Sequence, residues 1–152
     1  MEEIFKKYPL LKDQNVPRET LIELELFVSM LQKRNEEINI ISKETAKNQV
    51  IRERHISDSA QIIEFIDLND DIITDIGSGG GMPGVIISIM IKNQKNLGKV
   101  HLYEKSHHKS SFLRKVSRDL KLNTKVMQKN VFEVKNLESG TIMARAFKPL
   151  PI

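Results

Sequence analysis

The residues best suited to chemistry in this sequence lie in one stretch, D-I-G-S-G-G-G-M-P-G at residues 75–84. Glycine lets the backbone take positive φ and removes the Cβ that would keep a ligand away from the turn. Pro83 suits the first turn of a helix, where its missing N–H would have had no partner. The free N–H groups at such a helix start favour an anionic or strongly polar ligand group. The stretch therefore predicts a binding site for a nucleotide-like molecule.

Two ligand classes fit the same letters. Gly79, Gly81 and Gly84 match G-x-G-x-x-G, the dinucleotide fingerprint typical of an NAD-dependent oxidoreductase. Glu104 ends the next predicted strand, where a ribose-binding acid is expected. Alternatively, the letters D-x-G-x-G-x-G that begin at Asp75 are the first motif of S-adenosylmethionine-dependent methyltransferases, in which Glu104 takes the ribose hydroxyls. Asp75 favours the methyltransferase, because an acid just before the turn suits a positively charged ligand better than a pyrophosphate.

The histidines do not form a metal-binding pattern. His107 and His108 are adjacent, so their side chains point in different directions, and no H-x-x-x-H pair occurs. The sequence contains no cysteine, which excludes a disulfide framework and a thiolate metal site and fits a reducing compartment. We therefore expect no metal.

Alternating strands and helices must position the glycine turn. Four mostly apolar runs predict strands at residues 71–76, 99–104, 125–128 and 141–144. Helices are predicted after the glycine turn and after Ser106. The alternation predicts a doubly wound, mostly parallel sheet, with the ligand at the carboxyl ends of the strands near the switch point between the first and fourth. Arg145 follows the fourth strand and is predicted beside the same cleft.

The part of the chain before the sheet is predicted to be helical. We expect a short helix at 2–8, connecting chain at 10–17, a long amphipathic helix at 18–37 and a charged helix at 43–54. Ser57 or Asp58 is expected to cap the next helix. We interpret the chain as a single domain, with a helical N-terminal part at 1–67 and a Rossmann-like core at 68–152.

The composition is that of a soluble globular protein, with 39% hydrophobic residues and a mean hydropathy of -0.33. The chain does not begin with a signal peptide, and no apolar run is long enough to span a bilayer, so a cytoplasmic location is expected. Charge is unevenly distributed: residues 1–94 hold 11 basic and 16 acidic residues, whereas residues 95–152 hold 13 and 4. The basic second part indicates contact with a polyanion, and a lysine-rich solvated surface is the alternative.

Several short motifs occur together and in one order. They are V-S-M-L at 28–31 with Asn35 and Asn39, R-H-I-S-D-S at 54–59, the glycine motif at 75–84, F-L-R-K-V at 112–116 with L-K-L at 120–122, and A-R-A-F at 144–147. With these motifs the sequence resembles the bacterial small-subunit (16S) ribosomal RNA guanine-N7 methyltransferase family, once called glucose-inhibited division protein B. The glycine motif alone is shared by many methyltransferases, whereas the combination is much more specific.

The resemblance implies a Rossmann-like class I methyltransferase that transfers a methyl group from S-adenosylmethionine to N7 of one guanine in 16S rRNA. N7 already carries a lone pair, so such an enzyme mainly aligns it with the methyl group and the sulfur. The implied partner is 16S rRNA or the small ribosomal subunit, whose phosphates the basic second part would hold. We also expect a monomer without membrane contact.

The resemblance further implies a set of cofactor-binding residues. They are Asp75, Gly77, Ser78, Gly79, Gly81, Met82, Glu104, Val131, Phe132 and Arg145. Within this set Gly77 and Met82 are expected on the methionine side, and Glu104 at the ribose. Val131 and Phe132 are expected to flank the adenine.

Two residues are implied as catalytic. Arg145 is expected to reach the cofactor carboxylate or the target nucleotide, and His55 is expected to close the pocket. The sequence departs from the family pattern at Arg34, where relatives usually carry a tryptophan that packs. It also departs at Asn130 and Phe132, where an arginine and a glutamate are common. This departure affects the polar contacts that those two side chains would make with adenine.

The family pattern continues for several strands beyond the last residue of this sequence. We therefore expect a C-terminally truncated member whose sheet is incomplete at its C-terminal end, with the fourth strand as an exposed apolar edge. A non-catalytic RNA-binding remnant is then a further alternative, which predicts salt-sensitive RNA binding without cofactor binding. The oxidoreductase alternative predicts binding of NADH.

Overall fold

A parallel sheet lies at the centre of the molecule. The computed structural model describes residues 2–12, 14–67, 72–94, 98–137 and 139–144. Its strands are β1 (Ile72–Ile76), β2 (Lys99–Tyr103), β3 (Thr124–Met127) and β4 (Thr141–Ala144). They form one parallel sheet in the order β3-β2-β1-β4. The predicted Rossmann-like sheet is thereby confirmed, with β1 at the switch point. A central parallel strand is covered on both faces, which is why β1 reads as a mostly apolar run.

Helices precede the sheet in the chain. They are α1 (Glu2–Lys6), α2 (Pro9–Lys12), α3 (Arg18–Glu37), α4 (Asn48–Val50) and α5 (Ser57–Gln61). A π-helical turn over Ile51–Ile56 joins α4 to α5, and a 3-10 turn over Ile62–Phe65 follows α5. The long helix predicted at 18–37 is confirmed as α3. Its apolar positions at three- and four-residue spacing, including Leu21, Leu24 and Leu31, are buried.

Two predictions on either side of α3 were wrong. Part of the connecting chain predicted at 10–17 is helical, because Pro9 starts a turn of helix and Leu11 is fully buried. The helix predicted at 43–54 begins only at Asn48. The Ser42 side chain accepts a hydrogen bond from the Thr45 N–H at 3.1 Å, which holds the preceding residues in a local turn.

The predicted helix cap at Ser57 or Asp58 was also wrong. The backbone stays helical from α4 through the π-helical turn into α5, and Ser57 has φ -63 and ψ -43. Ser57 therefore has no free helix-start N–H group to accept from. Its hydroxyl instead donates to the carbonyl of Arg52 at 2.9 Å.

Two further helices connect the strands. α6 (Gly84–Asn93) runs between β1 and β2, and α7 (His107–Asp119) runs between β2 and β3. α6 is apolar nearly all round, because α3, α5 and the sheet all pack against it. α7 has an apolar face and a basic face, and the Ser106 hydroxyl caps its start by accepting from the Lys109 N–H. One cluster of buried apolar side chains runs from Tyr8 to Met143.

Two further observations on the described residues concern the edge strand β4 and the hydrophobicity of the helices. β4 pairs with β1 on one side, and Ile142 of β4 is 54% exposed, in agreement with an apolar edge. Within the described ranges, no helix combines the length and hydrophobicity needed to cross a membrane.

Candidate functional site

The glycine turn follows β1 directly. Gly77, Gly79 and Gly81 have φ values of 68, 54 and 98 degrees, a region in which other residues are strained. The turn is fixed to β2, because the Ser78 N–H donates to the carbonyl of Tyr103 at 3.0 Å. A Cβ added to Gly79 would meet only the Gly77 carbonyl, at 3.9 Å, so this glycine leaves its space open to the cleft. The backbone of the turn is thus both fixed and accessible.

Asp75 lies beneath this turn. Its side chain is fully buried, and its Oδ2 accepts a hydrogen bond from the Gly84 N–H at 3.0 Å. Its Oδ1 is buried without a hydrogen-bond partner. Burial raises the pKa of Asp75 to about 7, although the Gly84 N–H opposes this shift. The carboxyl group therefore fastens the start of α6 to the sheet, facing away from the cleft.

Glu104 joins the turn to the start of α7. Its Oε1 accepts from the Gly79 N–H at 3.1 Å and its Oε2 from the Ser106 N–H at 2.8 Å. The residue is 9% exposed and lines the cleft. A carboxylate has about four lone-pair sites, so both oxygens keep acceptor capacity for the hydroxyl groups of a ligand.

These elements enclose one cleft of about 560 Å³, within the size range of small-molecule sites. Its lining comes from the glycine turn, the start of α7, the segment after β3 and the N-terminal helical part. The lining residues are Ile40, Ile41, His55, Gly77, Ser78, Gly79, Gly80, Met82, Tyr103, Glu104, Lys105, Ser106, Lys109, Lys129, Asn130, Val131 and Phe132.

The segment after α3 forms one wall of this cleft. The Asn35 side-chain oxygen accepts from the N–H groups of both Ile40 and Ile41, at 2.8 and 2.9 Å. A Cβ added to Gly80 would lie 2.8 Å from the side chain of Ile41, so the wall packs directly on the glycine turn. Asn35 therefore holds an apolar wall against the turn.

His55 reaches the cleft from the π-helical turn. Arg52, in the same turn, donates two hydrogen bonds to Glu25 of α3, at 2.6 and 2.9 Å. The Tyr8 hydroxyl donates to the same carboxylate at 2.6 Å. These contacts tie the segment that carries His55 to α3 and to Tyr8, which lies between α1 and α2.

The pKa values of this cluster follow from its contacts. Burial alone would raise the pKa of Glu25, but hydrogen bonds from Arg52 and Tyr8 outweigh it and lower the pKa below the usual value. Burial and the hydrogen bond to Glu25 raise the pKa of Tyr8. Glu25 is therefore ionised and Tyr8 protonated at neutral pH, which keeps the cluster intact.

The outer rim of the cleft is a short 3-10 turn after β3, Val131–Glu133. The Asn130 side chain caps it by accepting from the Phe132 N–H at 3.1 Å. Phe132 is 67% exposed, so much of its surface is accessible at this rim.

The structure brings most of the predicted site residues together. The residues from the predicted set that line the cleft are His55, Gly77, Ser78, Gly79, Met82, Glu104, Val131 and Phe132. Asp75, behind the turn, and Gly81, within it, do not line the cleft. Arg145 lies outside the described residues.

Several lining residues were not predicted. Ile40 and Ile41 were missed, although the Asn35 and Asn39 motif beside them was a usable signal. Lys105, Lys109 and Lys129 were also missed as site residues. They follow β2 and β3, where the carboxyl ends of parallel strands meet a ligand, so their position along the sequence could have revealed them. Within the described residues, no group of three or more histidine or acidic side chains is placed to hold a metal ion.

Comparisons with known proteins agree with one another. A family model described as GidB, rRNA small subunit methyltransferase G, matches residues 20–151. A protein named ribosomal RNA small subunit methyltransferase G from Pelagibacter ubique (strain HTCC1062) is 86% identical over 152 residues, which cover 100% of this chain and 71% of that protein. Proteins of the same name from Cereibacter sphaeroides (strain ATCC 17029 / ATH 2.4.9) and Rickettsia rickettsii (strain Sheila Smith) are 32% and 35% identical, over 93% and 89% of this chain and 68% and 66% of their own lengths.

Proposed function

Because this chain belongs to the family described as rRNA small subunit methyltransferase G, a family of rRNA methyltransferases, we propose that it transfers a methyl group from S-adenosylmethionine to N7 of a guanine in 16S rRNA. The family supports the rRNA substrate and the reaction class. The choice of methyl donor and of the N7 atom rests on the cleft and on the resemblance described above.

One observation carries the choice of a methyl donor over a dinucleotide. A dinucleotide site offers the N–H groups at the start of the helix to the pyrophosphate. Here the Gly84 N–H donates to Asp75 and the Val85 N–H donates to the carbonyl of Gly81 at 2.8 Å. The chain's own acceptors thus use the donors that a pyrophosphate would need, which favours S-adenosylmethionine over NAD.

The residues that line the cleft suit the parts of S-adenosylmethionine. Glu104 would hold the ribose hydroxyls through its remaining lone pairs, and Gly79 would let the ligand approach the backbone. Val131 and Phe132 would hold the adenine, and Met82 the methionine part. When bound, the cofactor supplies an electrophilic methyl group on a positively charged sulfur.

Methylation of guanine N7 requires little acid or base catalysis from the protein. N7 of guanine carries its own lone pair, so the protein has to orient the base and exclude water. Ile40 and Ile41 provide an apolar wall for this, and we propose that His55 closes the pocket. We also propose that Arg145 contacts the cofactor carboxylate or the target nucleotide.

We propose, in addition, that residues 1–152 form a single domain with a helical part at 1–67 and a Rossmann-like core at 68–152. The continuous core from Tyr8 to Met143 supports this proposal. We propose that this domain acts on rRNA as a monomer in the cytoplasm. Size-exclusion chromatography with light scattering tests the monomer.

Transfer of tritium from methyl-labelled S-adenosylmethionine to 16S rRNA transcribed in vitro tests the function. We expect incorporation into the normal transcript. We expect none into a transcript made with 7-deazaguanosine, because that base has carbon in place of N7. Equal incorporation into both transcripts would exclude N7 as the target.

Binding measurements separate the two alternatives. Calorimetric titration with S-adenosylhomocysteine should show saturable binding, and fluorescence titration with NADH should show none. RNA binding without S-adenosylhomocysteine binding would favour a non-catalytic RNA-binding remnant. Binding of NADH alone would favour an oxidoreductase.

A further inference from the structure

A second cavity of about 600 Å³ lies between α3 and α7, outside the cofactor cleft. We name it the α3/α7 groove. Met30 and Phe112 lie at its base, and four cations line it: Lys33 and Arg34 from α3, and Lys115 and Arg118 from α7. The groove therefore combines an apolar base with a basic lining.

The acids of the groove do not cancel its charge. Glu37 and Asp119 are the acidic residues of its lining, so the four cations leave an excess of two positive charges. Both acids are already engaged, because Glu37 accepts a hydrogen bond from Arg34 at 2.6 Å and Asp119 accepts one from Lys115 at 2.8 Å. The hydrogen bond from Lys115 lowers the pKa of Asp119, and Arg118 adds to the effect. Such exposed ion pairs are weak and are readily exchanged for another anion.

The base of the groove argues against a site that reads bases. Phe112 is only 4% exposed, and its ring stacks on Phe27 with the centroids 6.4 Å apart. A base could not stack on a ring that is covered in this way. The groove thus offers charge along its rim and no aromatic platform, the combination that holds a phosphate backbone irrespective of sequence.

α7 borders both the cofactor cleft and the groove. Lys105 and Lys109 line the cleft at the start of α7, whereas Lys115 and Arg118 line the groove. Lys109 and Arg118 are nine residues apart, which corresponds to about 14 Å along the helix axis.

From this placement we propose that the α3/α7 groove holds part of the phosphate backbone of the RNA that carries the target guanine. The proposal rests on the proposed function, because it takes RNA as the substrate. It assigns the cations of α3 and α7 to a positioning contact that is independent of the methyl-transfer chemistry.

The test compares a groove variant with a matched control. The double variant Lys33→Gln with Arg118→Gln removes two cations of the groove lining. The control, Lys6→Gln with Arg18→Gln, removes two exposed cations at α1 and at the opposite end of α3, outside both cavities. Both variants have the same net charge, so a general loss of attraction affects them equally.

Filter binding of in vitro transcribed 16S rRNA at a series of KCl concentrations is the readout. Each phosphate contact to a single strand contributes about 0.7 to the slope of log affinity against log salt. We expect the slope of the groove variant to fall by roughly 1.4, with the slope of the control almost unchanged. We expect KM for rRNA to rise, with kcat and S-adenosylhomocysteine affinity as in the unmodified protein. Equal slopes for groove variant and control would overturn the proposal.

A variant that makes the groove more positive tests the proposal in the opposite direction, where misfolding cannot explain the expected result. Glu37→Gln with Asp119→Asn deletes the two acids of the groove, so RNA should bind more tightly and with a steeper salt slope. Unchanged or weaker binding would contradict the proposal. If the unmodified protein methylates rRNA while all groove variants behave like it, only the groove proposal fails. If it binds S-adenosylhomocysteine but methylates no RNA, the proposed function itself fails.

Discussion

Two turns that line the same cleft are built in opposite ways. The glycine turn after β1 is fixed by hydrogen bonds to β2, and Asp75 and α6 lie directly behind it. The turn at Val131–Glu133 after β3 is held by the Asn130 side-chain cap and by two hydrogen bonds within its own backbone, and Phe132 is largely exposed. The first is part of the protein core, whereas the second rests on its surface.

The difference separates two tasks of a binding site. A ligand group beside the glycine turn meets a backbone whose position the core determines, so its geometry is precise and side-chain changes there disturb folding. A ligand group beside Val131 and Phe132 meets exchangeable side chains. We therefore expect substitutions to affect folding most at the glycine turn, and to affect only ligand binding at the outer turn.

The largest effect is expected for Gly84→Ala. A Cβ at this position would overlap the carboxyl group of Asp75 and the side chain of Leu102. Because these neighbours are buried between β1, β2 and α6, they cannot move away without cost. We expect a loss of about 4 kcal/mol in the free energy of unfolding, or no folded protein, as measured by urea denaturation.

Gly79→Ala is the matched control for this change. Its Cβ would meet only the Gly77 carbonyl at 3.9 Å, so the cost is limited to the positive φ, about 1 to 2 kcal/mol. We expect a folded protein with weaker S-adenosylhomocysteine binding, because the added Cβ lies on the side of the turn that is open to the cleft. Equal destabilisation by both substitutions would contradict the contrast between core and cleft.

Asp75 makes the stability of the turn depend on pH. Its folded-state pKa of about 7 lies above its ordinary value of 3.8, so the folded protein binds the proton more tightly than the unfolded chain. The associated stability is complete below about pH 4 and is lost as the pH rises through about 7. Between pH 5 and 8 this group alone lowers the free energy of unfolding by roughly 2 to 3 kcal/mol.

Asp75→Asn should remove that dependence. The amide oxygen can still accept from the Gly84 N–H, and the group does not ionise. Urea denaturation of both proteins from pH 5 to 8 should give a flatter pH profile for the variant, with the largest difference at pH 8. Parallel profiles would show that the carboxyl group is not responsible.

Asn35 tests the apolar wall that packs on the glycine turn. In Asn35→Ala the N–H groups of Ile40 and Ile41 lose their shared acceptor, which we expect to cost about 2 kcal/mol in the free energy of unfolding. S-adenosylhomocysteine affinity should fall as well, because both isoleucines line the cleft. Asn35→Asp keeps an acceptor oxygen and should restore most of both losses. Failure of Asn35→Asp to do better than Asn35→Ala would exclude the hydrogen bonds as the cause.

The same contrast explains what the sequence could predict. The strands were predicted to within one residue at most ends, since buried parallel strands carry apolar runs that polar loops interrupt. Eight residues of the predicted cofactor and catalytic set line the cleft. Seven of them follow β1, β2 or β3, where the carboxyl ends of parallel strands meet a ligand, and His55 comes from the helical part before the sheet.

Predictions failed where the outcome depended on tertiary contacts. Serine is a common residue at helix starts, so Ser57 was predicted as a cap. The π-helical turn before it, which the Arg52–Glu25 contact stabilises, keeps the backbone helical at Ser57. Asp75 was predicted to bind the cofactor, and that role stays a prediction, although its carboxyl group binds the Gly84 N–H and does not line the cleft. Alternation along β1 sets its direction, and the sequence alone does not reveal which face α6 covers. The wall of Ile40 and Ile41 was missed because it joins the cleft from a distant part of the chain.

The smallest effect on folding is expected for Phe132→Ala. The side chain is 67% exposed, and the turn that carries it is capped through backbone and Asn130 atoms, which the substitution leaves in place. The free energy of unfolding should change by less than about 0.5 kcal/mol. If the ring flanks the adenine, S-adenosylhomocysteine affinity should nevertheless fall about fivefold to tenfold, the lower range for a base stacked on an aromatic ring. Phe132→Tyr keeps the ring and should retain the affinity. Calorimetry on the three proteins decides the point, since equal affinities for all of them would place the adenine away from this turn and shift the expected cofactor contacts to the other residues that line the cleft.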